Sequence, residues 1–417
     1  MKKRIFFLLC FIMCALFSTT FAANLKADYP LEQMLIYGRH HLRAPLNIGK
    51  DSVLYKITTH TWKKHSEKSG ELSSKGGELE VLMGQYFRKR LEDEKFIPEN
   101  YVPKQGEVRF YANSVQRTAA TAKYFSAGFL PVANIETEHK PISGKMDVPF
   151  NFHYKDFPAD IAFKNGVKKE IGALNANLLA ENMKAEVALL ENVLDFKNSA
   201  YAKENNTESF LLNGKEYFTV AVDTALHLGG SIRPAMSAAD ALVLEFLESS
   251  DNSASFGKEL SFSEWQSLGR LKELGVYTVF HIPTLSKEAT KPMLKLMKEE
   301  FSEKSRKFTF LCGHDLHIAA TLSALGVEDY KTVNAVEFIV PIGGAFVIEK
   351  RRGKDGRDYA NLYLVYQSAE QIRNKEALSL ENPPMITPLS LKGLQKNSDG
   401  LYLFDDVIKR ITEICGE

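Results

Sequence analysis

The sequence predicts an α/β fold, a mainly parallel sheet with helices on both faces, plus an inserted, mostly helical domain. Three observations lead there. Strand-like apolar runs at Met34–Ile36, Val108–Tyr111 and Phe308–Cys312 each end on a short polar stretch, and two of these stretches hand over directly to helical spacing. The stretch from about Gly144 to Ser263 carries helical periodicity with little strand pattern beside it. At 417 residues the chain can bury a large core and fold as two domains or as one domain with an insertion.

Taken in order, the N-terminus comes first. Lys2, Lys3 and Arg4 precede an apolar run from Ile5 to Phe17, and small or polar residues follow to Ala23. This is the layout of a cleavable secretory signal, with Ala22 or Ala23 the last residue removed, and it is short for a membrane span. The expected division is therefore residues 1–22 as signal, 23–143 and 264–417 as the α/β domain, and 144–263 as the insertion. A periplasmic or secreted location follows, with no stable membrane insertion after cleavage.

A helix is predicted from Ser73 or Ser74, with Leu79, Leu82, Met83, Tyr86, Phe87 and Leu91 on one face. The strand at Val108–Tyr111 leads to a helix capped by Ser114, which places Arg117 in its first turn. Within the insertion, residues from Leu178 to Leu194 read as one long helix. Asn213-Gly214 reads as a hairpin turn between Phe210–Leu212 and Tyr217–Val220, and Ser237 with Asp240 reads as the start of another helix. After it come strand candidates at Tyr277–Phe280, Phe308–Cys312, Val336–Val340 and Ala345–Ile348. Tyr363–Tyr366 pairs with the last of these across the turn around Gly353–Gly356, and a terminal helix spans Val407–Ile414. Ile318 to Leu325 form a helix stopped by Gly326.

Charge excludes some functions. Signal removal leaves 50 basic against 52 acidic residues, a net charge of −2, which gives no reason to expect nucleic acid as a partner. Only Cys312 and Cys415 remain after processing, permitting at most one disulfide, and no ligand spacing points to a metal.

Chemistry concentrates in Arg39-His40-His41-Leu42-Arg43-Ala44-Pro45. Gathering two arginines and two histidines is repulsive unless an anion is bound there. Arginine forks match phosphate oxygens, and neighbouring cations keep a histidine neutral and nucleophilic. Alone, the stretch reads equally well as an exposed basic loop. Arg117 near a helix N-terminus, where the dipole favours anions, is either a ligand-holding or a solvent-facing arginine. Gly313-His314-Asp315 follows a third strand. Because ligands bind outside the carboxyl ends of strands in open α/β sheets, the three stretches can converge on one pocket.

These residues resemble the histidine acid phosphatases, branch 2 of the histidine phosphatase superfamily. Arg39 to Pro45 matches that family's signature, Gly313-His314-Asp315 its His-Asp pair, and Tyr111 to Thr118 its downstream arginine segment. The similarity is strongest to the bacterial periplasmic glucose-1-phosphatases, with phytases next. The resemblance implies the histidine phosphatase fold and a phosphohistidine on His40. It implies Arg39, Arg43, Arg117 and His314 as phosphate ligands, Asp315 as proton donor, and no metal or other cofactor. The expected partner is a small phosphate ester, a sugar phosphate first and an inositol phosphate second; oligomeric state is left open. His41 and Glu248 are carried as candidate specificity residues, with a rim histidine and a solvated helix-end glutamate as the plainer alternatives.

Overall fold

The computed structural model describes residues 27–46, 52–141, 147–151, 161–211, 216–219 and 227–417. The signal segment, the Asn213-Gly214 turn and the Gly144 boundary lie outside the described residues. The elements are, in order, β1 (Leu31–Arg39), α1 (Ser74–Asp93), β2 (Val108–Ala112), α2 (Gln116–Phe129), α3 (Ile161–Leu174), α4 (Ala176–Asn182), α5 (Lys184–Leu194) and α6 (Ala200–Glu204). Then come β3 (Tyr217–Thr219), β4 (His227–Gly229), α7 (Ile232–Glu248), α8 (Phe262–Lys272), α9 (Leu274–Phe280), α10 (Pro283–Ser302), β5 (Phe308–Gly313) and α11 (Asp315–Leu325). The chain closes with β6 (Ala345–Arg352), β7 (Asp358–Tyr366), α12 (Ala369–Asn374), β8 (Met385–Pro388), β9 (Tyr402–Leu403) and α13 (Phe404–Cys415).

The main sheet runs β2-β5-β1-β6-β7-β8, with β9 also on β7. Its core, β2, β5 and β1, is parallel, and β6 onward extends it antiparallel. Alternation along β1 sends Met34 and Ile36 to one face and Leu35 and Tyr37 to the other. The first face packs on α1 and α2 through stacked rings, Phe125 on Phe310 at 4.2 Å and Phe129 on Phe308 at 4.4 Å between centroids. The second packs on α10, α11 and α13 through Met297, Leu322 and Ile411. Helices thus cover both faces. α1 and α2 cross so closely that a Cβ on Gly84 would lie 2.2 Å from the Phe125 carbonyl, and one on Gly128 2.1 Å from that of Val81.

A third core unites α5, α7 and α8 through Leu190, Leu194, Leu242 and Trp265, and it takes in Leu42, Leu54 and Trp62 from the segment after β1. The helical block is therefore packed directly onto the loop that carries Arg43.

Ser73 caps α1 and Gly326 ends α11 at φ 76°, both as the sequence predicts. Elsewhere tertiary partners override local pattern. Ser114 is not the cap of α2; its hydroxyl donates to Asp147 at 3.2 Å, and Val115 takes the cap position without a side-chain bond. The Leu178–Leu194 periodicity is split at Met183 into α4 and α5. α7 starts at Ile232, not Ser237, because the Glu216 carboxylate accepts from the Ser231 hydroxyl and from the Ile232 amide at 3.3 Å. Phe210 and Leu211 form no strand; Tyr217–Thr219 pairs with His227–Gly229.

Tyr277–Phe280 is the end of helix α9, where Thr278 bonds back to the Leu274 carbonyl at 2.8 Å. Val336–Val340 is a loop. Its Phe338 and Ile339 amides donate to the Glu273 carboxylate at 2.5 and 3.1 Å instead of to a neighbouring strand. Cys312 and Cys415 are both free thiols. Among the described residues, no helix is long and apolar enough to cross a membrane.

Candidate active site

Parallel register aligns three strand ends. Arg39 of β1 lies opposite Gly313 of β5, and Ala112 of β2 opposite Cys312. The ladder continues one bond further on each side, with the His40 amide donating to the Gly313 carbonyl and the Asn113 amide to the Cys312 carbonyl, both at 3.0 Å. The three predicted stretches are thereby held side by side at the carboxyl edge of the sheet.

Each arginine has a distinct setting. Arg39 is 1% exposed; one terminal nitrogen meets Asp315 at 2.8 Å, and the other donates to Glu337 at 2.8 Å and to the Val340 carbonyl at 2.5 Å. Arg43 reaches the Asp240 carboxylate at 3.1 Å and the Ala44 carbonyl at 3.2 Å. Arg117 sits in the first turn of α2 with one terminal nitrogen 3.4 Å from the Gly70 carbonyl and the other 3.4 Å from His314 Nδ1. Burial and the nearby Arg43 push its guanidinium down to about 10, so charge is crowded here without full compensation.

The histidines are oriented by what binds one ring nitrogen. His40 Nδ1 lies 2.8 Å from the His41 carbonyl, an acceptor only, so the proton sits on Nδ1 and Nε2 keeps its lone pair. Burial first, then Arg117, His314, Arg43 and Arg39, hold its pKa well below the ordinary imidazole value. The His314 ring lies edge-on, 5.3 Å from His40 between centroids. Asn113 Oδ1 accepts the Asp147 amide at 3.1 Å, which turns its amide nitrogen toward His314 Nε2 at 3.1 Å. His314 thus faces a donor at each ring nitrogen, Asn113 at Nε2 and Arg117 at Nδ1, the nitrogen turned toward the arginines. His317 is buried, its ring 5.7 Å from that of His314, and burial depresses it to about 4.

Asp315 is the first residue of α11 and its Oδ1 accepts the Leu316 amide at 2.8 Å. Burial raises its pKa, but Arg39 and then Lys272, with that backbone bond and His314, outweigh it and keep the carboxylate well below the usual range. Lys272, at the end of α8, is 5% exposed, contacts Glu337 and lies 3.6 Å from Asp240. Asn113, Asp240, Lys272 and Glu337 are thus site residues that the sequence did not single out. Asn113 stands within the quoted arginine segment; the other three have no local signal.

One candidate lies elsewhere than expected and the other stands at a helix end. His41 is not on a rim. It is fully buried, its Nδ1 accepts the Leu42 amide at 2.8 Å and its Nε2 faces Gln367 Oε1 at 3.1 Å. Its ring lies so close to Gly343, at φ 65°, that a Cβ there would come within 2.1 Å. Glu248 is the last residue of α7, eight residues beyond Asp240, and its carbonyl caps Lys75 at 3.0 Å. At 1.5 Å per helical residue that is about 12 Å further along the axis.

Beside Asp315 and Arg43 opens a cavity of about 300 Å³, walled by Leu228, Met236 and Val276 as well as polar groups. Its charged lining sets Arg43, Arg233 and Lys272 against Asp240, Glu273 and Asp315, but burial and the neighbouring Glu337 push Glu273 up to about 7, so at acidic pH the cations outnumber the anions.

Comparison with known proteins agrees with this geometry. The pattern described as histidine phosphatase superfamily, branch 2, matches residues 49–156. A glucose-1-phosphatase of Providencia rettgeri is 32% identical over 392 residues, covering 92% of both chains. One of Salmonella typhimurium is 33% identical over 398 residues, covering 93% of this chain and 94% of that one. The chain belongs to branch 2 of the histidine phosphatase superfamily. It is a histidine acid phosphatase, a phosphomonoesterase. The apo form of Hafnia alvei phytase shares the phosphatase fold with a TM-score of 0.83 at 24% identity, covering 93% of this chain and 97% of that one.

Proposed function

We propose that this phosphatase is exported and hydrolyses small sugar phosphates, glucose-1-phosphate among them, through a phosphohistidine on His40. The observation that carries the reading is the fixed tautomer of His40, whose free Nε2 belongs to a ring beside His314 and under the charges of Arg39, Arg43 and Arg117. Those arginines and His314 hold the phosphoryl oxygens and neutralise charge as it spreads in the transition state. Nε2 attacks phosphorus, the bond to the leaving oxygen breaks, and that oxygen takes its proton from Asp315. Water then attacks the phosphohistidine, giving a proton to the Asp315 carboxylate and releasing phosphate and His40.

In the free site Asp315 is ionised, so its proton arrives with substrate. A bound phosphate competes for Arg39 and adds negative charge beside the carboxyl, both of which raise its pKa. Turnover is expected to be best at acidic pH. The residues at 1–22 support export, and the helical block, expected over 144–263 and extended to Lys272 by α8, is best taken as an inserted domain that walls the leaving-group side.

The Asp240 carboxylate and the apolar Leu228, Met236 and Val276 of the cavity wall support a neutral leaving group over a polyphosphorylated one, which disfavours the inositol-phosphate alternative. A binding protein without turnover would need neither the free Nε2 nor Asp315. Wild type should release phosphate from p-nitrophenyl phosphate at mildly acidic pH and favour glucose-1-phosphate over phytate. No release by wild type would sink the reaction, and a preference for phytate would sink the substrate.

A further inference from the structure

The two clamping arginines that flank the nucleophile come from one short stretch, yet nothing in that stretch holds them relative to each other. Each is braced from outside it. Arg39 donates to Glu337 at 2.8 Å, and Arg43 to Asp240 at 3.1 Å. Between the two braces lies one ammonium group. Lys272 contacts Glu337 and stands 3.6 Å from Asp240, completing an alternating series Arg39, Glu337, Lys272, Asp240, Arg43. All five are buried or nearly so, with side-chain exposures of 1%, 2%, 5%, 18% and 8% in that order of the series.

We propose that Lys272 is a positioning residue, which locks the two phosphate-clamping arginines into one frame by bridging the carboxylates that brace them. The inference rests on the clamp reading given above. Without the ammonium, Glu337 and Asp240 would face each other with no charge between them; the Ile342 amide would still hold Glu337 at 2.7 Å, but Asp240 would be left to turn with Arg43. An arginine fork is useful to phosphate only while its plane is fixed, since misplacement by about 1 Å in a phosphoryl site is costly. Lys272 and Asp240 both come from the helical block, on α8 and α7, whereas Arg39 ends β1. The block therefore sets clamp geometry as well as walling the cavity. The same ammonium, with Arg39 and His314, faces Asp315, so its loss has a second readout.

The test uses the full mature chain and inorganic phosphate as probe, titrated calorimetrically so that no turnover is needed. Lys272→Met is expected to weaken phosphate binding by about tenfold or more, and Lys272→Arg by much less. Lys272→Gln replaces the Met variant, under the same criterion, if circular dichroism shows that variant unfolded. Removing the cation also lets Asp315 hold its proton longer, so the alkaline limb of turnover with glucose-1-phosphate, whose leaving oxygen needs that proton, should move to higher pH. A folded Met or Gln variant that binds phosphate within about twofold of wild type overturns the proposal. So does weakened binding with the alkaline limb unmoved, because a purely structural lysine would do that. If wild type binds phosphate but releases none from the ester, the catalytic reading fails, and the binding titration still decides the role of Lys272.

Discussion

At the strand ends, Arg39, His40, His314 and Asp315 are placed by backbone. Parallel register sets Arg39 against Gly313, and a main-chain bond carries His40 one step further. In the helical block, Asp240 and Lys272 are placed by side-chain ion pairs to partners far away in sequence. The first arrangement fixes which atoms react, the second how firmly they are held and what fits beside them. Substitutions in the two regions should therefore differ in kind: loss of chemistry at the strand ends, graded loss of binding and selectivity in the block.

The sharpest break is His40→Ala, which removes the atom that forms the covalent bond. It should lower kcat/KM by about 10⁴-fold or more on every ester, with phosphate binding kept, since the arginines remain. Comparable losses for glucose-1-phosphate and p-nitrophenyl phosphate are expected; substantial residual turnover would place the nucleophile elsewhere. Asp315→Asn comes next. It should cost about 10² to 10⁴-fold on glucose-1-phosphate and distinctly less on p-nitrophenyl phosphate, whose leaving group needs no proton. Equal losses on the two esters would remove Asp315 from the acid role.

On the helical side, Asp240→Asn should act more mildly, about tenfold in kcat/KM and mostly through KM, because Arg43 keeps its charge and loses only its brace. It should also narrow the preference for glucose-1-phosphate over phytate, since a carboxylate at the cavity wall repels polyanions. A loss in kcat alone, with that preference intact, would erase the contrast between the two regions.

The contrast also explains what could be read in advance. The strand-end groups were legible because backbone placement keeps functional residues next to their own strand: Arg39 to Arg43, Asn113 to Arg117 and His314-Asp315 each follow an apolar run directly. Asp240 read as a capping residue, and Lys272 and Glu337 drew no notice, because their meaning lies in partners such as Arg43, 197 residues from Asp240. Of the fold errors one shares that cause and one is local. Val336–Val340 has the apolarity of a strand, but the Glu273 carboxylate takes its amides. Tyr277–Phe280 is β-branched and aromatic, yet it continues a helix because the turn before it is already helical. Glu248 is a candidate by resemblance alone, with a helix-end glutamate as the plainer alternative, and it is the last residue of α7.

The smallest effect concerns His41, which lies at the junction of the two regions without belonging to either. Burial pushes its ring down to about 4, with Gln367 opposing that trend and Arg39 adding to it. In the unfolded chain it returns to about 6.5, so between these values the unfolded state binds more protons. Its contribution is complete above 6.5, declines as pH falls toward 4, and is flat below. The slope it adds is at most ~1.4 kcal/mol per pH unit, shared in direction by His317. Urea unfolding at pH 6.5 and 5 should therefore show His41→Asn losing less stability on acidification than wild type, although it starts from a lower value. Identical slopes would mean that His41 titrates normally when folded, and then its hydrogen bonds to the Leu42 amide and Gln367 could not be fixing a neutral ring beneath the nucleophile.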